Sequence, residues 1–156
     1  MATAITVRQF LDDEALPYEE ITHQPTHTSL QAAKSARIAP RLLAKAVLLE
    51  ENGRYVMAIV PTARHVKLGK LRQQFGRDFG MATEQTIGKI FRDCVPGAVP
   101  ALGPAYGLET IWDESVMNGP ELYFEAGDHE HLIRIRTDDY LRVVRACAHG
   151  DFTEPV

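Results

Sequence analysis

Two apolar runs, Ala44 to Glu50 and Tyr55 to Val60, are separated by Glu51-Asn52-Gly53-Arg54. Asn-Gly readily supplies the positive φ values of a type I′ turn, so this segment is expected to fold as a β-hairpin. A second hairpin is written into Glu121 to Ala126 and His131 to Arg136, where Leu122, Phe124, Ile133 and Ile135 alternate with polar residues around a Gly127-Asp128-His129 tip. Between the two, Leu68, Leu71 and Phe75 recur at helical spacing and leave Lys67, Lys70 and Arg72 toward solvent. A further helix is expected from Thr83 to Phe91, and a strand from Thr110 to Met117. Three Pro and three Gly within residues 95–107 interrupt every period, so that stretch reads as a shaped loop.

Toward the N-terminus, Ile5 to Ala15 predicts a short helix with Thr6 as its cap and Pro17 as its stop. Tyr18 to Thr22 suits a strand, and the His23 to Thr28 loop leads to a helix capped by Ser29 that closes before Pro40. At the other end, Thr137, Asp138 and Asp139 suit the start of a last helix with Leu141 and Val144 inward, and the tail beyond Gly150 is expected to fray. Helices alternate with strands early and hairpins dominate later. The expected class is therefore mixed α/β, with a largely antiparallel or mixed sheet, curved or curled into a barrel, and surrounding helices.

With 156 residues, 45% of them hydrophobic and 24% charged, the chain has the material for one domain spanning residues 1–156. No apolar run is long enough to span a membrane, and the first residues lack a secretory pattern, which points to a cytoplasmic protein with no membrane partner. Cys94 and Cys147 are too few for a disulfide framework or a zinc site. The net charge of -4 hides an asymmetry, because residues 30–92 carry twelve Lys or Arg against four acids. One positive face toward a phosphate backbone and a solvated face without a partner both fit that distribution.

Lys45 opens an otherwise apolar strand, where an ammonium is costly unless it reaches a cleft or an anion, or escapes along its stem to water. The glycines of the 97–107 loop permit close backbone approach to a ligand, although proline stiffening of a plain connection explains them equally well. His23 with His27, and His129 with His131, lack the spacing and partners of a metal set, so no metal and no cofactor are expected. No phosphate-binding glycine fingerprint follows any strand, and no serine sits in a nucleophile elbow.

Several segments in order carry a resemblance: the Lys45 strand and its Asn-Gly hairpin ending in Val60-Pro61, Val66 to Leu71, the Gly97 to Gly103 loop, Ile111 to Ser115, and Tyr123 to His129. Together, across roughly residues 16–145, they resemble the YbaK/EbsC family of tRNA-editing domains, the prolyl-tRNA-synthetase editing type. The resemblance implies hydrolysis of the ester on a mischarged tRNA, often tRNA for proline carrying Ala, Cys or Ser, with prolyl-tRNA synthetase as a candidate partner. A non-catalytic tRNA- or nucleotide-binding module of the same fold is the alternative. The implied catalytic set is Lys45 with Gly97, Ala98 and Gly103; Thr28, Pro100, Asp113, Gly127 and His129 would border the substrate. Lys34, Arg37, Arg41, Arg64, Lys67 and Lys70 would bind the tRNA backbone. The chain departs from the commoner loop pattern at position 101, which is Ala, the proline standing at Pro100.

Overall fold

The structure is a computed structural model and describes residues 3–156. Its strands are β1 (Glu19–Thr22), β2 (Leu43–Glu51), β3 (Arg54–Pro61), β4 (Arg64–Val66), β5 (Gly80–Met81), β6 (Glu109–Asp113), β7 (Glu121–Glu125), β8 (His131–Arg136), β9 (Ala148–Gly150) and β10 (Thr153–Pro155). The α-helices are α1 (Ile5–Asp13), α2 (Ser29–Ser35), α3 (Leu68–Phe75), α4 (Glu84–Ile90) and α5 (Thr137–Val144).

The main sheet runs β1-β8-β7-β2-β3-β6-β9, with β5 also on β2, while β10 and β4 form a separate ribbon. The path is open, with β1 and β9 at its edges. Both expected hairpins are present as antiparallel pairs, β2 with β3 and β7 with β8. The first turns on Asn52 at φ 50° and Gly53 at φ 80°, the left-handed pair that a type I′ turn demands. The seams β7-β2, β3-β6 and β6-β9 are parallel, so the sheet is mixed.

Strand alternation sorts the core into two faces. On one, Ala44 and Leu48 of β2 join Met57 and Ile59 of β3, Leu122 and Phe124 of β7, and the inward residues Val7 and Leu11 of α1 and Tyr140 and Val144 of α5. On the other, Leu49, Val56 and Val60 pack beneath Leu71 of α3 and Phe152, whereas Leu43 packs with Ala32 and Ala33 of α2 and Leu132 of β8. This second face thus carries two separate apolar clusters. Position 45 lies between them, because Leu43 belongs to one and Val47 to the other.

Several local expectations are corrected. Ala4, not Thr6, caps α1, and the Thr6 N–H is taken by the Asp93 carboxylate at 3.0 Å, so the helix start is satisfied from 87 residues away. Thr28 rather than Ser29 caps α2, its hydroxyl accepting from the Gln31 N–H. The expected strand to Met117 stops at Asp113, where a 3₁₀ turn over Glu114–Met117 begins under an Asp113 cap. The 95–107 loop holds a 3₁₀ turn at Gly103–Tyr106. The C-terminal tail does not fray: Phe152 and Thr153 are fully buried, and β10 pairs with β4.

Candidate functional site

The neighbours of β2 leave an opening beside Lys45. On one edge, β2 is fully paired with β3. On the opposite edge it pairs with β7 only at Leu43 and Ala44, and with β5 only at Leu49 and Glu50. Between these two contacts lies a slot along residues 45–47. Leu43 directs its carbonyl to β3, where the Thr62 N–H donates at 2.8 Å, and Leu48 directs its carbonyl to the other side, where Ala82 N–H donates at 3.0 Å. By alternation, the main-chain groups of Ala46 point into the slot, where no strand pairs with them.

Lys45 projects from the face that carries the two separate clusters, at the point where β7 leaves β2. It forms no ion pair or side-chain hydrogen bond among the described residues. Burial alone pulls its ammonium below the usual lysine range, with no charged neighbour to offset the effect. A cation so placed attracts whatever anion or developing negative charge enters the slot.

One step beyond the last bridged pair, Ala44 with Phe124, the register brings Glu125 of β7 alongside Lys45 on the same face. Glu125 is 2% exposed. Neither of its carboxyl oxygens has a hydrogen-bond partner among the described residues. Burial first, then the charge of Asp128, pushes its carboxyl up to about 8. Four residues on, His129 stands at φ 64°, a left-handed conformation that costs a histidine roughly 1 kcal/mol or more. The Asp128 carboxylate holds this turn by accepting from the N–H groups of Glu130 and His131, both at 2.9 Å, and from the His131 ring at 2.6 Å. Burial pushes Asp128 upward, but these bonds outweigh it and keep the carboxyl below the usual range.

His129 places Nε2 2.5 Å from the Pro96 carbonyl and Nδ1 3.7 Å from Glu125 Oε2. The second distance is too long for a hydrogen bond, and burial favours the protonated, uncharged form of Glu125. Gly97 lies against the same ring. At φ 86° it has the backbone that favours glycine, and a Cβ there would meet His129 Cε1 and the His27 carbonyl at 3.2 Å each. The His27 ring meets His129 edge-on at 6.1 Å. Around this group, His23 Nε2, Thr26 Oγ1, His129 Nδ1 and both Glu125 oxygens are buried without partners among the described residues, a concentration of unsatisfied polar atoms that marks a place for water or ligand.

Gly97 and His129, two of the residues singled out in the sequence, border one region, and Lys45 lies on the strand next to β7, which ends at Glu125. Others do not. Ala98 is fully buried, and its N–H is spent on the Val95 carbonyl. Pro100 is buried, and Gly103 lies on the other face of the sheet, packed so closely on β6 that a Cβ would overlap Thr110 Oγ1. The loop is thus a rim only at its start. Gly127 faces away from the slot, where a Cβ would meet the Ala4 Cβ at 2.9 Å and the Cys94 sulfur at 3.3 Å.

Asp113 is 2% exposed, and its carboxylate accepts from the N–H groups of Phe152 at 2.9 Å and Ser115 at 3.3 Å, and from the hydroxyls of Thr153 and Ser115. It is a fastener for the C-terminal strand. Thr28 is exposed beside His27, with its oxygen accepting at the cap of α2.

The basic residues divide likewise. Arg64 bonds Thr153 from its guanidinium, and Lys67 and Lys70 both approach Glu154. Lys34, Arg37 and Arg41 are exposed on α2 and the following turn, which cover the slot face, and they have no ion pair among the described residues. Burial pushes the Cys94 thiol up to about 12, which disfavours the thiolate a nucleophile needs. Among the described residues, no three His, Cys, Asp or Glu side chains are grouped to hold a metal ion, and no helix is long and apolar enough to cross a membrane.

Glu125 and His27 received no substrate role from the sequence. The signal for Glu125 was its phase: Leu122 and Phe124 face the larger core, which puts Glu125 with Tyr123 on the slot face.

Solved structures share the fold. A hypothetical protein, APE2540, superposes with a TM-score of 0.82 at 16% identity, covering 96% of this chain and 99% of that one. A proposed trans-editing enzyme for prolyl tRNA synthetase gives 0.79 at 21% identity, covering 97% and 96%. A proposed signal transduction protein from Marinobacter aquaeolei gives 0.77 at 21% identity and covers 96% of this chain, but this chain spans only 30% of that protein. Among curated proteins none matches. Residues 23–143 match the family described as the aminoacyl-tRNA editing domain, a span that contains Lys45, Gly97, Glu125 and His129. The chain belongs to the aminoacyl-tRNA editing domain family.

Proposed function

We propose that the chain is a trans-acting aminoacyl-tRNA deacylase that hydrolyses the ester between a wrongly attached amino acid and the 3′-terminal adenosine of a tRNA. The observation that carries this reading is the uncompensated Lys45 ammonium beside an unpaired stretch of β2, in a chain of the editing family. An aminoacyl ester is already activated, so a site that positions it and stabilises charge can suffice without a protein nucleophile. Lys45 attracts the terminal phosphate or the oxyanion that develops as water attacks the ester carbonyl. Gly97, lacking a Cβ, lets the acyl group approach the rim, and His129 forms the wall against which the ester is oriented. Lys34, Arg37 and Arg41 hold acceptor-stem phosphates as positioning contacts.

Proline tRNA carrying alanine, cysteine or serine is the first substrate set. A sieve that admits small side chains excludes larger ones by shape, whereas one missing methylene changes binding by only about 1–3 kcal/mol. The test incubates the protein with proline tRNA charged separately with each of these and with proline, following loss of the ester. Hydrolysis of at least one mischarged form is expected, with sparing of the prolyl form. Lys45→Ala should lose activity by a factor on the order of 100 or more with its melting unchanged. Equal binding of charged and uncharged tRNA without hydrolysis would instead make the protein a binding module.

A further inference from the structure

We propose that Glu125 is a positioning residue of this site: its carboxyl shares one proton with the His129 ring and thereby fixes the protonation state and orientation of that imidazole. The inference deepens the deacylase reading and rests on it for its kinetic arm only.

A carbonyl oxygen can only accept, so the 2.5 Å contact with Pro96 requires a hydrogen on His129 Nε2. In the neutral ring, Nδ1 is then a bare lone pair. Among the described residues that lone pair is buried without a partner, and it faces a carboxyl whose two oxygens are also buried without partners. Leaving such atoms unsatisfied costs about 1–3 kcal/mol each. A single proton placed between them answers both needs, as a carboxylic acid donating to Nδ1 or as an imidazolium facing a carboxylate. Either form is net neutral, which suits the enclosure. At 3.7 Å the two groups close into a hydrogen bond with a small side-chain rotation or through one water molecule.

The other charged and titratable groups around the pair leave this proton in place. Asp128 is committed to His131 and to two backbone N–H groups, and its charge disfavours a second carboxylate beside it. Lys45 stands across the slot on β2 and makes no ion pair with Glu125. His27 meets the outer side of the His129 ring, and His23 bonds the Gln24 carbonyl through Nδ1. His129 is further held by its φ of 64° and by the Pro96 contact. The acid completes a ring fixed at three points.

The test is an NMR pH titration of the His129 ring in the whole protein, wild type against Glu125→Gln. The wild-type ring resonances should respond as Glu125, pushed up to about 8 by burial, loses its proton, and Glu125→Gln should lack that response. Identical His129 titrations in the two proteins would overturn the proposal. Should the variant fail to fold, the Glu125 carboxyl carbon followed in wild type against His129→Gln gives the same decision. In the kinetic arm, Glu125→Gln should lower kcat by about tenfold or more with KM within about twofold, and displace the pH–rate profile; Glu125→Asp should restore part of the rate. Loss of the His129 response in a protein that hydrolyses none of the mischarged tRNAs would leave the shared proton standing and remove the deacylase reading.

Discussion

Gly97 and Lys45 show how differently single positions announce themselves. A lysine inside Ala-Lys-Ala-Val-Leu-Leu is conspicuous because burying an ammonium is costly, and in the fold that cost stands uncompensated beside the unpaired stretch of β2. Gly97 was one of several glycines in a Pro- and Gly-rich stretch, and nothing in the sequence separates it from Gly103, whose role is to let the backbone lie against Thr110 on the opposite face. The separation comes from contacts between residues distant in sequence. Gly97→Ala combines a backbone at φ 86° with a Cβ at 3.2 Å from His129 and from the His27 carbonyl. It should cost about 1–2 kcal/mol by urea denaturation and displace the ring enough to reduce ester hydrolysis severalfold or more. Glu125 was legible only as the phase of an alternating strand; its isolation from every donor among the described residues required the folded chain.

Elements with a local signal were readable. The Asn52-Gly53 hairpin, α3 and α4 all lie where turn chemistry, apolar period and the Thr83 cap place them. Elements held by remote partners were not. The start of α1 is completed by Asp93, and the tail beyond Gly150 is ordered by Asp113 and by pairing with β4. A carboxylate at the end of a strand looks the same in sequence whether it faces a ligand or fastens a backbone. Asp113→Ala decides between these roles. It strands the Phe152 N–H and the Thr153 hydroxyl in the interior and should destabilise the protein by about 2–4 kcal/mol in chemical denaturation. KM for the charged tRNA should stay within about twofold, and a large rise in KM with unchanged stability would return Asp113 to the substrate.

For the molecule as a whole, the mixed α/β class followed from element order, whereas the parallel seams did not. Pairing of β2 with β7 joins strands separated by about half of the chain, and no turn residue encodes it. The buried acid at that seam also shapes the global response to pH. With its pKa raised from 4.5 to about 8, Glu125 keeps its proton in the folded state where the unfolded chain has lost it. The folded state therefore binds more protons across that interval, and this group's contribution to stability falls as pH rises through it, then levels off. Glu125→Gln lacks the slope. Melting curves should favour the variant increasingly from about pH 5 to about pH 8, by up to a few kcal/mol, and parallel curves would refute the shift. The unbridged stretch of β2 has another consequence. Amides in a central strand ordinarily exchange with solvent deuterium only when the entire protein opens, but the Ala46 N–H faces the slot and should exchange from the native state. It is a built-in reporter of occupancy, slowing when something fills the gap while its neighbours along the strand keep their rates.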